Sequence, residues 1–166
     1  MDAWLAREAP EIDPGDLPWL KAFADGSPGR LLFAIEHDLL EWRDHVGEDL
    51  EQLCAGRYVP NLWQEFVALI DDFAKGREKA NRRTSIESAK REGLDVILGM
   101  IAMELRHRMH SASGEGDHAG AERYARAIDP IVDAERRVGR SLNLKMVLAD
   151  MTAALSERMQ PAGGGA

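Results

Sequence analysis

Four polar side chains near the end of an apolar segment form the best candidate for a metal site in this sequence. Glu104, His107 and His110 are spaced three residues apart, and His118 follows after a short gap. Residues three apart share one face of a helix, so these side chains could approach a common cation. The spacing is not that of an HExxH zinc motif, and two arginines in the same segment would oppose a cation. We therefore expect a solvated helix end here and no metal centre.

Other motifs that carry chemistry are missing from the sequence. The single cysteine, Cys54, has no second cysteine with which to form a disulfide or share a zinc ion. It is expected to be a small apolar side chain on a helix and not a nucleophile. The sequence contains no GxxxxGK[ST] phosphate loop, no GxGxxG and no GxSxG. We therefore expect no catalytic residue, no bound cofactor and no ATP hydrolysis by this chain.

The strongest charge feature is a basic segment at 75–83. Its five cations are Lys75, Arg77, Lys79, Arg82 and Arg83. A nucleic-acid surface would contain such cations, but the segment has no interleaved aromatic residues on which bases could stack. The net charge of −8 disfavours broad binding to DNA phosphates. Two interpretations stay open, a solvated connection between helices and a local DNA contact.

Length and composition indicate a protein that works in water. The chain has 166 residues, of which 45% are hydrophobic and 30% are charged. That is enough apolar material for a core, and no apolar run approaches the roughly 18 residues of a membrane-spanning helix. The first residues lack the basic start and apolar core of a secretion signal. We expect a cytoplasmic protein that does not interact with membranes.

The elements that position these residues are expected to be helices only. No strand-like alternation and no hairpin signal occur in the sequence. The first part predicts three short helices. The first is at 4–8 and is either a short helix or the end of one, Asp16 caps the second, and the third begins with Ser27 as cap and Pro28 at its first position. The third is expected to continue to residue 45 or to bend near residue 38.

Longer helical patterns follow from Gly47, which allows a break. Asn61 is expected to cap a helix, 75–83 to connect it to the next, and 93–105 to be the centre of a helical bundle because it is apolar on two sides. Segment 111–117 is expected to be a loop, Pro130 to kink or restart a helix, and 144–155 to form the last one. The prediction is an all-α chain with a three-helix piece at 1–45, an antiparallel bundle of about five helices at 46–160 and a flexible tail at 161–166.

Three segments of this chain resemble delta-prime subunits of the bacterial DNA polymerase III clamp loader. Segment 22–30 (AFADGSPGR) is similar to the Gly-Ser-Pro-Gly turn that opens the last helix of the lid in the ATPase-type (AAA+) module of that family. Upstream, 4–5 (WL) and 17–22 (LPWLKA) are similar to the earlier lid helices. Near the end, 141–151 (SLNLKMVLADM) resembles the final helix of the family's C-terminal collar domain. The resemblance spans nearly the whole chain, in order.

The resemblance implies a non-catalytic subunit fragment that acts in DNA replication. In ATP-hydrolysing clamp-loader subunits, a sensor arginine stands two residues after the serine of this turn, and here Gly29 occupies that place while Arg30 comes one later. One residue rotates a helical side chain by about 100°, so Arg30 is not expected to sense ATP. The nucleotide-binding domain and zinc-binding cysteines of the family are not in this sequence. The resemblance assigns 1–45 to a remnant of the lid and 46–160 to the collar, which holds the subunits of the complex together.

Partners follow from the resemblance in the same way. They are the ATPase subunits and the delta subunit, while the sliding clamp and DNA are reached only through the complete complex. Apolar residues that lie off the predicted core stripe could face a neighbouring subunit or pack on the first forty-five residues, and both interpretations stay open. These candidate interface residues are Tyr58, Val59, Trp63 and Val67. A free-standing helical adaptor or regulator is the alternative to the clamp-loader function.

Overall fold

All regular structure in the described part of the chain is helical, as the sequence predicts. The computed structural model describes residues 12–81, 83–138 and 143–160. Within these ranges lie eight α-helices and no strand. They are α1 (Leu17–Ala24), α2 (Pro28–Glu36), α3 (Leu39–Cys54), α4 (Leu62–Ala80), α5 (Ile86–Gly114), α6 (His118–Arg126), α7 (Asp129–Val138) and α8 (Leu144–Met159). None of the helices in these ranges is long and apolar enough to cross a membrane. The helix predicted at 4–8 and the tail at 161–166 lie outside the described residues.

The chain divides into two compact units, Met1–His45 and Val46–Ala166. The division falls inside α3, which continues from one unit into the other. The break that Gly47 could have introduced does not occur. A single glycine costs a helix only about 1 kcal/mol, and the neighbouring side chains of Val46 and Leu50 are buried, so packing outweighs this cost.

The first unit, which we call unit 1, is built on the packing of α1 against α2. Its buried apolar side chains are Leu20, Phe23, Ala24, Leu31, Ala34, Leu39 and Trp42. Between the two helices the backbone turns through Asp25 and Gly26, which have φ angles of 47° and 78°. Of the two alternatives left open for the next helix, the structure adopts the bend near residue 38. Helix α2 ends at Glu36. Asp38 has a left-handed backbone with φ 50° and directly precedes the start of α3.

The second unit, unit 2, is organised around α5. This helix packs against α4, α6 and α7, and α8 also packs against these three helices. Ten residues of α5 are buried, and eight of them lie between Gly93 and Leu105. A helix that is apolar on two sides is expected to have neighbours on both, so the prediction that 93–105 forms the centre of unit 2 is confirmed.

Two connections are shorter than the sequence suggests. Helix α4 runs to Ala80, so most of the basic segment is helical and not a loop as predicted. Helix α5 runs to Gly114, so the predicted loop at 111–117 is reduced to its last three residues. In both places polar residues continue a helix whose apolar face is already packed, and exposed positions tolerate them. Pro130 lies at the second position of α7, where its missing N–H is harmless, so the helix restarts there.

Two of the helix caps that the sequence predicts do not form, and α8 has a cap that was not predicted. Asn143 accepts a hydrogen bond from the backbone N of Lys145 at 3.0 Å, and this bond caps α8. The predicted caps Asp16 and Asn61 form no capping bond. The Asp16 carboxylate accepts from Arg43 instead, and Asn61 has a left-handed backbone with φ 71°. Capping needs an extended backbone at the cap residue, and neither residue has one.

Candidate interaction surface

The Ser27 to Arg30 turn of unit 1 is fixed by its own hydrogen bond. Ser27 has an extended backbone, and its Oγ accepts from the backbone N of Arg30 at 3.3 Å. Pro28 occupies the first position of α2, where its fixed φ suits the helix. Pro28, Gly29 and Arg30 are exposed and Ser27 is half-buried. The serine-proline pair therefore begins this helix in the way that the sequence predicts.

The Arg30 side chain belongs to a stack of aromatic rings and guanidinium groups. Its Cζ lies 4.9 Å from the ring centroid of Phe23. The Phe23 ring stacks on Trp19 at 5.4 Å, and Arg43 Cζ lies 5.7 Å from the Trp19 ring. Arg43 also donates to Asp16 at 2.8 Å. Since such contacts contribute about 0.5–1 kcal/mol each at exposed sites, Arg30 and Arg43 help to hold unit 1 together.

The loop between α3 and α4 presents an aromatic side chain to solvent. Tyr58 is 64% exposed, and Val59 is half-buried. The loop starts at Gly56, with φ 78°, where a Cβ would lie 2.8 Å from the backbone O of Met159. It ends at Asn61, which also has a positive φ. Close contact with the end of α8 and two left-handed residues thus fix the loop that carries Tyr58.

Trp63 and Val67 lie one turn apart on α4, in the same unit as that loop. Trp63 is half-buried, and Val67 is only 8% exposed. Leu62 and Phe66, their neighbours on the helix, are each 1% exposed and belong to the core. The four candidate interface residues therefore differ in what they offer a partner: Tyr58 is open, Val59 and Trp63 are partly covered, and Val67 shows only its edge.

That edge of Val67 lines a cavity of about 440 Å³ in unit 2. The lining residues are spread over α4, α5, the end of α7 and the start of α8. They are Val67, Asp71, Glu87, Lys90, Arg91, Val138, Asn143, Leu144 and Lys145. Lys90 and Asp71 form an ion pair across it with Nζ and Oδ1 2.9 Å apart. No sequence signal identified this cavity, because its walls come from segments that are distant in the chain.

The basic segment is partly neutralised by neighbouring carboxylates. Lys75 pairs with Asp72 at 2.9 Å, and Arg77 donates two hydrogen bonds to Glu92, at 3.0 and 3.3 Å. Lys79 and Arg83 are exposed, and the fifth cation, at position 82, lies outside the described residues. A guanidinium or ammonium that already pairs with a carboxylate is less available to a phosphate, so Lys75 and Arg77 are less suited to the DNA contact than the sequence alone suggests.

The candidate metal ligands are not assembled into a site. Glu104 accepts a hydrogen bond from Arg108 Nε at 2.6 Å, and His107, His110 and His118 are exposed. Nowhere in the described ranges do three His, Cys, Asp or Glu side chains stand close enough to hold a metal ion.

Cys54 is buried in α3, as expected of an apolar residue. Burial raises the pKa of its thiol to about 11, and the nearby Arg108 offsets this only in part. A thiol with so high a pKa is a poor nucleophile at neutral pH because the thiolate is the reactive form.

No protein-family model, no curated protein and no solved structure matches this chain.

Proposed function

We propose that this chain is the lid-and-collar part of a delta-prime-type subunit of a bacterial DNA polymerase III clamp loader. In this role it catalyses no reaction. Unit 2 acts as the collar and binds the matching C-terminal domains of the ATPase and delta subunits. Sliding clamp and DNA are reached through the complete complex. As a replication protein it works in the cytoplasm.

The observation that carries the proposal is the Ser27–Pro28 turn in its structural context. The turn joins two short helices that pack on each other in unit 1, and its serine caps the second. A separate helical unit follows it in the chain, and an asparagine caps the last helix of that unit. The segments 22–30 and 141–151, which carry part of the resemblance to delta-prime subunits, thus contain helix starts of unit 1 and unit 2, in that order.

The exposed aromatic at the α3–α4 loop supports an interaction role. Tyrosine is enriched among residues that dominate protein–protein binding, since its ring is apolar and its hydroxyl tolerates water. Tyr58 is held on a loop with a constrained backbone, so little conformational entropy is lost when it is buried by a partner. We therefore place the contact with the neighbouring collar at Tyr58 and Trp63.

Co-purification with the ATPase and delta subunits of the same organism tests the proposal. Tyr58→Glu should abolish or strongly weaken assembly, since a charge would be buried in the contact. Lys79→Glu is the control: Lys79 is also in unit 2 and is exposed. This control should leave assembly unchanged, and circular dichroism should show both variants folded.

Three results would count against the proposal. Failure of the wild-type chain to co-purify with any of these subunits would exclude the clamp-loader function and favour a free-standing adaptor. Normal assembly of Tyr58→Glu would place the contact elsewhere, and equal loss in both variants would show that the loss is not specific to Tyr58. Micromolar ATP binding by isothermal titration would contradict the non-catalytic role. A further variant, Trp63→Glu, distinguishes contact from core: loss of folding would assign Trp63 to the core of unit 2.

A further inference from the structure

The cavity at Val67 combines an apolar lining with access from solvent. Val67, Val138 and Leu144 contribute its apolar surface, and polar residues complete the lining. Its volume of about 440 Å³ lies in the range of ligand pockets, roughly 300–1,000 Å³. Two of the lining apolar residues, Val138 and Leu144, are only half-buried, so the cavity opens at the surface of unit 2. A side chain carried by a partner can therefore enter it.

The charges around the cavity are not balanced among themselves. Lys90 and Asp71 neutralise each other through their ion pair. Within the described part of the chain, Arg91 and Lys145 form no ion pair, and the remaining carboxylate of the lining, Glu87, offsets only one of them. The described lining residues therefore carry a net positive charge, in a chain whose overall charge is −8.

We propose that this cavity is a docking site for a protein segment that carries a large apolar side chain next to a carboxylate. The apolar side chain fills the space lined by Val67, Val138 and Leu144, and the carboxylate pairs with Lys145 and Arg91. The identity of the partner rests on the proposed function, because Val67 is also one of the candidate interface residues. The chemistry of the occupant does not rest on it, since it follows from the lining alone.

Two physical arguments select this occupant. Apolar surface left open to water is unfavourable by about 25 cal/mol per Å², so the three aliphatic side chains favour an apolar group. The unpaired cations favour an anion, which also suppresses partners that carry a positive charge at this position. A segment of a protein suits the site better than an enclosed small molecule, because Arg91, Lys145 and Glu87 are all exposed at its rim.

A pair of fluorescent probes tests the chemistry of the site directly. 1-Anilinonaphthalene-8-sulfonate has aromatic rings and an anionic group, while N-phenyl-1-naphthylamine has the same rings without the charge. The folded chain should bind the sulfonate more tightly than the neutral probe. Lys145→Gln should weaken binding of the sulfonate about two- to fivefold and leave the neutral probe unaffected, as expected for one exposed charge pair. Lys79→Gln, an exposed lysine elsewhere in unit 2, is the control and should change neither affinity.

Filling the cavity tests its position. Val67→Phe should block binding of both probes, and Val138→Phe provides a second way to fill the space if the first variant is overpacked and fails to fold. The matched control is Val132→Phe. Val132 lies on α7 like Val138 and is half-buried, but it lines a different cavity together with Asp129 and Arg158. It should leave probe binding unchanged. Near-UV circular dichroism should confirm native packing in each variant, because loosely packed chains bind the sulfonate non-specifically.

The same filled variants, in the co-purification with clamp-loader subunits, test the protein occupant. Loss of assembly in Val67→Phe or Val138→Phe, with Val132→Phe intact, supports docking at the cavity. Normal assembly of the filled variants overturns the docking inference even if both probes bind. Absence of probe binding, or equal affinity for the two probes, overturns the chemistry of the site. Failure of the wild-type chain to assemble contradicts both the proposed function and the assignment of a clamp-loader subunit as the docking partner. The probe results still decide whether the cavity binds an apolar group next to an anion.

Discussion

Replacement of Ile101 by alanine should be among the most damaging single changes in unit 2. Ile101 lies on α5, is 1% exposed, and belongs to the helix that packs against α4, α6 and α7. The substitution removes three carbon atoms at about 0.8 kcal/mol each, which is roughly 2.4 kcal/mol of lost transfer free energy. A void that the surrounding helices fail to fill raises the cost toward about 5 kcal/mol. We expect a loss of about 2–5 kcal/mol in the free energy of unfolding.

The measurement is urea unfolding followed by helical circular dichroism, with the m-value used to check that the unfolding transition itself is unchanged. The same helix offers a matched control. Ile86 is its first residue and is only half-buried, so Ile86→Ala should cost less than about 1.5 kcal/mol because part of the removed surface is already in water. Ile97→Ala should resemble Ile101→Ala, because Ile97 is also 1% exposed.

A loss of only a few tenths of a kcal/mol in Ile101→Ala would refute the reasoning. It would mean that α5 is not enclosed on two sides and that the order of helices in unit 2 is wrong. A large loss in both variants would instead indicate that the start of α5 is packed more tightly than described.

Three further predictions concern backbone, charge and thiol chemistry. Gly56→Ala should destabilise unit 2 by more than about 1 kcal/mol, since Gly56 has φ 78° and the added Cβ would lie 2.8 Å from Met159 O. Thermal unfolding measures this loss. The control is Gly76→Ala, whose added Cβ meets no atom within 4 Å and which should not destabilise the protein. Burial and the charge of Glu135 raise the pKa of Asp95 above its usual 3.8, so its ionised form costs stability at neutral pH and the cost disappears as pH falls below the unfolded pKa. Asp95→Asn should therefore raise the unfolding free energy at pH 7, by less than about 1 kcal/mol because the group is solvent-screened, and should leave it unchanged near pH 3; a destabilised variant at pH 7 would contradict this. The pKa of the Cys54 thiol is raised to about 11 from the usual 9.0. At pH 8 this thiol should therefore react with a disulfide reagent at least about 100-fold more slowly in the folded chain than in the guanidinium-unfolded chain. Equal rates would show that the thiol is not buried.

Helices with local signals were the ones that the sequence could predict. Helix α8 begins where Asn143 supplies a capping oxygen, and α2 begins where Ser27 and Pro28 supply a cap and a preset φ. In both cases the signal and the structure lie within four residues, so no distant contact is needed to decide them. The buried centre of α5 was also predictable, because a helix with apolar residues on two sides must be covered on both of them.

The ends of α4 and α5 were not predictable in the same way. Lys75, Arg77 and Lys79 resemble a connection in sequence, yet they continue α4 because contacts with Asp72 and Glu92 and the packed face of the helix outweigh local composition. Gly47 suggests a helix break because glycine has a low helix propensity, yet it lies within α3. Helix propensities differ by a fraction of a kcal/mol per residue, so tertiary packing decides such positions.

The candidate interaction surface shows the same division. The sequence identified the apolar residues that lie off the core stripe, but it gave Tyr58 and Val67 equal weight. Only the tertiary structure separates them, since one is 64% and the other 8% exposed. The cavity at Val67 required the structure entirely, because Lys90, Arg91 and Lys145 come from helices whose proximity depends on packing.

The sequence by itself determined the all-helical class of the described residues, the helix start at Ser27 and the burial of α5, because hydrophobic periodicity and caps act over one or two turns. The tertiary structure decided where α4 and α5 end, which apolar side chains remain open to a partner and which charges stay unpaired around the cavity. These depend on the distances between residues far apart in the chain, and such distances are set by the packing of all the helices of unit 2 together.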